Sequence, residues 1–113
     1  MNNFTNQNNW TEDEKKAVWN KGIIISGLDK NTYRKDMCGA WMKYDEFGNR
    51  KSTLGWEIDH IKPESKDGSN HLSNLQPLQW DNNLEKSNEY PCFYCKITSK
   101  DNKNIELKKR VCL

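Results

Sequence analysis

An adjacent carboxylate and imidazole, Asp59 and His60, end a short half-apolar stretch that is closed by Pro63. Hydrolysis of a phosphodiester needs an activated water, relief of charge on the phosphoryl oxygens, and help for the departing oxygen. A histidine that titrates near neutral pH suits the first task. A hard divalent cation held by Asp or Asn oxygens suits the other two. Together with Asn74 and Asn83 further along the chain, the stretch predicts a metal-dependent nuclease site.

Two more polar residues, Asn83 and Lys86, follow in a segment with helical spacing. Neighbouring side chains of a strand leave on opposite sides, so Asp59 and His60 would not bind one metal together. That division suits in-line displacement, in which the base lies opposite the metal-held leaving group. Asn83 and Lys86 are three residues apart and share a helix face. Packed on the strand, this face would complete the metal site with Asn83 and offer Lys86 to the substrate phosphate.

The first elements of the chain are predicted to be scaffold. Residues 1–9 are rich in asparagine and lack periodicity, which predicts a disordered tail before a single domain at residues 10–113. Thr11 and Glu14 have the spacing of a capping box, which predicts the start of a helix.

Apolar and β-branched runs predict strands at residues 23–25, 37–44 and 56–61. We expect the first of them, bounded by Gly22 and Gly27, to be a buried strand or an extended connection. The other two should pair antiparallel across a turn-rich tip at residues 45–54 and form the first half of the site.

A polar loop and a helix should complete the site. Asn82 has the position of an N-cap, with Glu85 reaching back to it. Asn82 also competes with Asn83 for the role of metal ligand, but a capping side chain is already engaged, which favours Asn83. Glu57 and Glu64 could lie near the metal, but we expect them to be solvated.

Composition sets limits on the class of protein. At 113 residues the chain has room for one modest core, and the hydrophobic fraction of 34% and mean hydropathy of −1.11 are low. Twelve aromatic residues offset part of this deficit. The net charge of +2 is too small to identify a polyanionic partner. The basic clusters at residues 50–51, 62–66 and 108–110 would suit phosphates, but we interpret each of them as a solvated face.

The four cysteines are expected to be free thiols or metal ligands. No apolar run is long enough for a membrane span, and the N-terminus has no signal-peptide pattern, so we expect a cytoplasmic protein in which disulfides are rare. Unlinked, small hydrophobic side chains are the favoured interpretation. Structural Zn²⁺ is the alternative, with four possible thiolate ligands: Cys38, Cys92, Cys95 and Cys112.

Residues 55–88 resemble the core motif of the HNH endonucleases. The resemblance lies in the spacing of Asp59-His60, Pro63, Asn74-Leu75, Asn83 and Lys86, with asparagine instead of histidine at the last letter. It implies an α+β fold, the small ββα-metal (His-Me finger) domain, here with an added N-terminal helix.

The resemblance implies a role for each residue. His60 would be the general base, and Asp59 and Asn83 would bind one Mg²⁺ or Mn²⁺ ion. Asn74 would pin the connecting loop and the orientation of His60. The expected substrate is DNA, double-stranded, cut to a 5′-phosphate and a 3′-hydroxyl. Cutting both strands would need two copies of the chain, as in a homodimer, or two binding events.

Two other classes of function remain compatible with the sequence. The domain could bind nucleic acid without catalysis, or it could be a structural zinc module for protein interaction. Cleavage of supercoiled plasmid with Mg²⁺ separates the first from a nuclease, and cysteine substitution separates the second.

Overall fold

The computed structural model describes residues 7–113, apart from the side chain of Asn8, and shows a mixed α and β domain. Two α-helices and seven strands are present in this part of the chain: α1 (Glu12–Trp19), β1 (Ile23–Ile24), β2 (Tyr33–Lys35), β3 (Trp41–Lys43), β4 (Trp56–His60), β5 (Leu75–Gln79), α2 (Trp80–Lys86), β6 (Cys92–Lys100) and β7 (Lys103–Cys112). The predicted tail lies mostly outside the described residues. Its last three residues, Gln7–Asn9, form a short 3-10 helix.

The strands form three antiparallel groups, β1–β2–β3, β4–β5 and β6–β7. The expectation that residues 37–44 pair with residues 56–61 is therefore wrong, because β3 pairs with β2 and β4 pairs with β5. The segment between β3 and β4 does not turn back as a hairpin. It begins with the 3-10 helix Tyr44–Glu46 and meets β4 through a parallel bridge between Phe47 and Trp56.

Helix α1 begins at the predicted capping box. The Thr11 side chain accepts from the backbone N–H of Glu14, and the Glu14 carboxylate accepts from the backbone N–H of Thr11. Its inner face supplies Val18 and Trp19 to the hydrophobic core, which also contains Trp56 of β4. The helix therefore supports the face of β4 that carries Trp56.

Strand β1 is short and lies at the surface. Ile23 and Ile24 are 52% and 57% exposed, so the expectation of a buried strand is wrong. The flanking Gly22 packs tightly instead, since a Cβ there would lie 3.1 Å from Arg34 side-chain carbons.

A buried carboxylate links the β2–β3 turn to the start of α2. Asp36 accepts hydrogen bonds from the backbone N–H groups of Cys38, Ala40 and Gln79 and from the side-chain amide of Asn82, each 2.9–3.0 Å long. Burial raises the pKa of Asp36, and the four donors oppose that rise. With four N–H groups aimed at it, the carboxylate form completes the hydrogen bonding.

Helix α2 is capped differently from the prediction. Gln79 is the N-cap, and its side chain accepts from the backbone N–H groups of Asp81 and Asn82. The Asn82 side chain is buried and instead binds the β6 backbone, accepting from Lys96 and Ile97 and donating to Ile97 O. Asn82 thus joins α2 to β6.

The cysteines form two disulfides, Cys38–Cys95 and Cys92–Cys112. The expectation of unlinked cysteines is therefore wrong. A four-thiolate zinc site is not supported either, because no thiol is left free. The reason lies in the β6–β7 register, which makes Cys92 and Cys112 direct cross-strand partners and leaves Cys95 to face the β2–β3 turn.

No helix within residues 7–113 is long and apolar enough to cross a membrane.

Candidate functional site

The candidate site is built on β4, β5 and α2, which follow one another along the chain. β4 and β5 are antiparallel partners, with Asp59 opposite Gln76 and His60 opposite Leu75. A loop at residues 61–74 joins the two strands, and α2 begins directly after β5. The predicted strand before the site is thus confirmed, whereas its partner strand comes from after the loop.

His60 lies on the face of β4 that points towards α1. Its cross-strand neighbour Leu75 belongs to the hydrophobic core, and the ring of Trp10 lies 5.9 Å from the imidazole. The His60 Nε2 atom is 2.6 Å from the Oδ1 atom of Asn70. An amide oxygen only accepts, so this contact places the proton on Nε2. Nδ1 then carries the lone pair, and within residues 7–113 it has no hydrogen-bond partner.

Asn74 holds the loop that carries Asn70. Its side-chain oxygen accepts from the backbone N–H of Lys62, and its amide group donates to the carbonyl oxygens of Lys62 and Ser69. Ser69 precedes Asn70, so the residue that Asn74 binds is next in the chain to the residue that contacts His60. The expected contacts of Asn74 with the loop are present. Asn70 was missed, because nothing in a polar loop marks which amide returns to a residue ten positions earlier.

Asp59 lies on the opposite face of β4, towards α2, and is fully buried. Its Oδ1 atom is 3.3 Å from the Nζ atom of Lys86, and its Oδ2 atom accepts from the side-chain amide of Gln76. Burial raises the pKa of Asp59 to about 6, against the opposing charge of Lys86. The separation of Asp59 and His60 onto two faces therefore agrees with the strand geometry.

Lys86 does not reach the surface, in contrast to the expectation that it is offered to a substrate phosphate. The side chain is completely buried, and its Nζ atom donates to the carbonyl oxygen of His60 at 3.0 Å. Phe93 of β6 covers it, with Nζ 5.6 Å from the ring centroid. Burial lowers the pKa of Lys86, and the carboxylate of Asp59 opposes that change.

Asn83 is also buried between α2 and β4, but its partner is Glu57 rather than Asp59. The Asn83 amide donates to Glu57 Oε1 at 2.9 Å, which leaves the Asn83 Oδ1 atom without a partner in the described part of the chain. Glu57 is only 3% exposed and forms a two-bond ion pair with Arg50. The expectation of a solvated Glu57 is therefore wrong, because two partners satisfy its carboxylate inside the protein.

The oxygen donors between β4 and α2 fit a hard divalent cation. An amide oxygen that is buried without a hydrogen bond is costly, and coordination of a cation would satisfy Asn83 Oδ1. Asp59 also carries a buried carboxylate on the α2 side of β4, and its Oδ1 atom lies 3.3 Å from the ammonium group of Lys86. Residues 7–113 contain no cluster of three or more His, Cys, Asp or Glu side chains that could hold a metal ion.

The part of the chain that contains the candidate site matches a known protein family. The model of a family described as HNH endonuclease matches residues 45–89, which include β4, the loop, β5 and α2. The predicted resemblance is confirmed by this match. No curated protein and no solved structure matches the chain.

Proposed function

We propose that the protein is a divalent-metal-dependent endonuclease acting on DNA. The premise is the match of residues 45–89 to the HNH endonuclease family. One observation within the matched residues supports this proposal. A histidine with an unpartnered ring nitrogen and a buried asparagine with an unpartnered oxygen lie at His60 and Asn83, on either side of the same strand pair. The first suits a general base and the second a cation ligand.

In this proposal His60 removes a proton from the attacking water. Nδ1 is the accepting atom, because the hydrogen bond to Asn70 keeps the proton on Nε2. Asn70 is a positioning residue in this scheme, and Asn74 holds the loop that carries it. Together they fix the tautomer and the direction of the base.

Asp59 and Asn83 would hold the divalent cation, Mg²⁺ or Mn²⁺, between β4 and α2. When bound, the ion would supply charge stabilisation for the phosphoryl and departing oxygens. Lys86 keeps Asp59 in place from the inside of the fold by donating to the carbonyl oxygen of His60. This proposal identifies the strand pair and α2 with the ββα-metal fold.

Plasmid cleavage tests the proposal directly. The wild-type protein should nick supercoiled plasmid with Mg²⁺ and should lose this activity in EDTA. His60→Ala should lose cleavage, because it removes the base, while His71→Ala is the matched control that alters the only other histidine. End mapping should give a 5′-phosphate and a 3′-hydroxyl.

The metal roles need a separate measurement. Asp59→Ala and Asn83→Ala should raise the Mg²⁺ concentration required for half-maximal cleavage. Cleavage by His60→Ala at the wild-type rate would contradict the role of the base. Activity that is insensitive to EDTA would contradict the metal mechanism.

A single site of this kind cuts one strand, so cleavage of both strands would need two copies of the chain or two binding events. We propose a homodimer on DNA as the arrangement that cuts both. Sedimentation of the protein with and without a duplex oligonucleotide measures the number of copies bound.

A second candidate, a nucleic-acid-binding module without catalysis, is favoured by the burial of His60, which is 7% exposed. A buried base needs Trp10 or the loop to move before substrate can reach it. Binding of DNA without nicking, at any Mg²⁺ or Mn²⁺ concentration, would select this candidate.

A further inference from the structure

The hairpin of β6 and β7 lies beyond the residues that match the family model and differs from the preceding chain in charge. Residues 92–113 contain six of the 18 basic residues but only two of the 16 acidic ones. Their net charge is therefore +4, against −2 for residues 1–91. The small net charge of the whole chain conceals this separation.

One face of the hairpin combines two of these basic residues with an exposed aromatic ring. Phe93 and Cys95 are buried at 2% and 0% exposure, so Tyr94 between them points outwards and is 46% exposed. Arg110 is its direct cross-strand partner, and the Nζ atom of Lys108 lies 4.7 Å from its ring centroid. We refer to these three residues, Tyr94, Lys108 and Arg110, as the outer stripe.

The outer stripe is held rigidly relative to the candidate site. The Cys92–Cys112 disulfide joins the two strands beside the outer stripe, and Cys38–Cys95 ties β6 to the β2–β3 turn. At the other end, Asn104 binds the backbone N–H and C=O of Trp41. Asn82 of α2 binds the β6 backbone between these points. A rigid surface loses little conformational freedom when it binds a partner.

We propose that the outer stripe binds the phosphate backbone of duplex DNA. The argument from charge is that a hairpin of net charge +4, on a chain whose other residues sum to −2, attracts a polyanion and orients it towards the hairpin. Lys108 and Arg110 both lie beside the exposed Tyr94 ring, since the Lys108 Nζ atom is 4.7 Å from the ring centroid and Arg110 is the cross-strand partner of Tyr94. The Tyr94 ring under Lys108 holds its ammonium group outwards. This inference rests on the proposed function only in taking DNA as the substrate.

Salt-dependent binding tests the inference. A fluorescein-labelled duplex of mixed sequence is titrated in EDTA, so that cleavage plays no part, at about 50 to 200 mM KCl. Lys108→Ala with Arg110→Ala should weaken binding roughly tenfold to sixtyfold at about 0.1 M salt. The slope of log affinity against log salt should become shallower by about 1.8, because two phosphate contacts are lost.

The matched control removes two other exposed lysines, by Lys16→Ala with Lys51→Ala, and changes the net charge equally. Its salt slope should stay at the wild-type value. Equal losses in both double variants, or an unchanged slope in the Lys108 and Arg110 variant, would overturn the inference. Both hairpin side chains are exposed, so thermal unfolding should show that the variant remains folded.

Failure of the inference can be separated from failure of the proposed function. Binding through the outer stripe without any nicking would keep the inference and refute the nuclease. Nicking with unchanged binding in the hairpin variant would refute the inference alone. Tighter binding of an RNA duplex of the same sequence through Lys108 and Arg110 would overturn the assignment to DNA.

Discussion

Replacement of Lys86 by methionine removes one ammonium group from the interior and keeps a flexible side chain in its place. In the wild type, Nζ is 3.3 Å from Asp59 Oδ1 and 3.0 Å from His60 O, and both Lys86 and Asp59 are 0% exposed. The variant leaves the buried carboxylate without its cation. Breaking a buried ion pair from one side costs about 3–5 kcal/mol. We expect a loss of this size in the free energy of unfolding at pH 8.

The loss should depend on pH through Asp59. The folded-state pKa of Asp59 is about 6, above its unfolded value of about 3.9. The folded protein therefore binds this proton more tightly, and stability falls as pH rises from about 4 to the folded pKa and is then level. Removal of Lys86 moves that pKa higher, because the Lys86 charge lowers it.

The two stability curves should thus diverge above pH 6. Each further unit by which the Asp59 pKa rises adds about 1.4 kcal/mol to the loss. At pH 5 both folded proteins hold the proton, so this contribution cancels. We therefore expect a smaller loss at pH 5 than at pH 8.

Urea unfolding followed by tryptophan fluorescence, in EDTA at pH 5 and pH 8, measures both losses. Lys43→Met is the control, because its surface pair with Asp45 spans 3.9 Å and such pairs contribute at most about 1 kcal/mol. Adding Asp59→Asn to Lys86→Met should recover part of the loss, since the buried carboxylate charge is then removed as well. Equal losses at the two pH values, or a loss below about 1 kcal/mol at pH 8, would refute the reasoning.

Other parts of the structure give further predictions. Gly68→Ala should disorder the loop and lower plasmid nicking, because a Cβ would lie 1.6 Å from Lys62 O; Lys66→Ala in the same loop is the control, and wild-type nicking by Gly68→Ala would contradict the contact. Asn70→Ala should make His60 a mixture of tautomers, which nitrogen NMR of the imidazole reports. An unchanged spectrum would show that the hydrogen bond to Asn70 does not determine the tautomer. Asp36→Ala should cost more than about 3 kcal/mol in urea unfolding, because four buried donors lose their acceptor, and a cost near zero would contradict this. Reduction of the two disulfides, which span 20 and 57 residues, should cost about 3–4 kcal/mol each, and titration of the oxidised protein should find no free thiol.

The sequence was most informative where a feature depends on residues close together in the chain. The Thr11 and Glu14 capping box needs only local geometry, and it is present as predicted. The alternation of side chains along β4 likewise predicts that Asp59 and His60 lie on opposite faces. The family resemblance at residues 55–88 likewise depends on residues close together in the chain, and it implied the mixed α and β class that the structure shows.

The predictions from sequence were wrong for polar residues that are buried by partners distant from them in the chain. Glu57 looks like a surface residue until Arg50 and Asn83 are known to meet it. Lys86 looks suited to a phosphate until β6 covers it. The predicted strand pairing was wrong for the same reason. Residues 37–44, the nearer apolar run, were expected to pair with β4, but its partner is β5. None of these contacts has a signature in sequence spacing.

The same limit applies to the cysteines. Their pairing follows from the register of β6 and β7, and the expected compartment gave no information on that register. Asn70 is the corresponding case within the candidate site, because its contact with His60 exists only once the loop has closed.

The Cys38–Cys95 disulfide has a topological consequence for the matched domain. It joins a residue before residues 45–89 to a residue after them, so the whole of that segment lies inside a covalent ring. A single proteolytic cut anywhere between these two cysteines would leave one molecule of unchanged mass apart from an added water. The two halves of the nicked ring would separate only after reduction. The candidate site could thus survive a backbone break that would release a fragment from a chain without this crosslink.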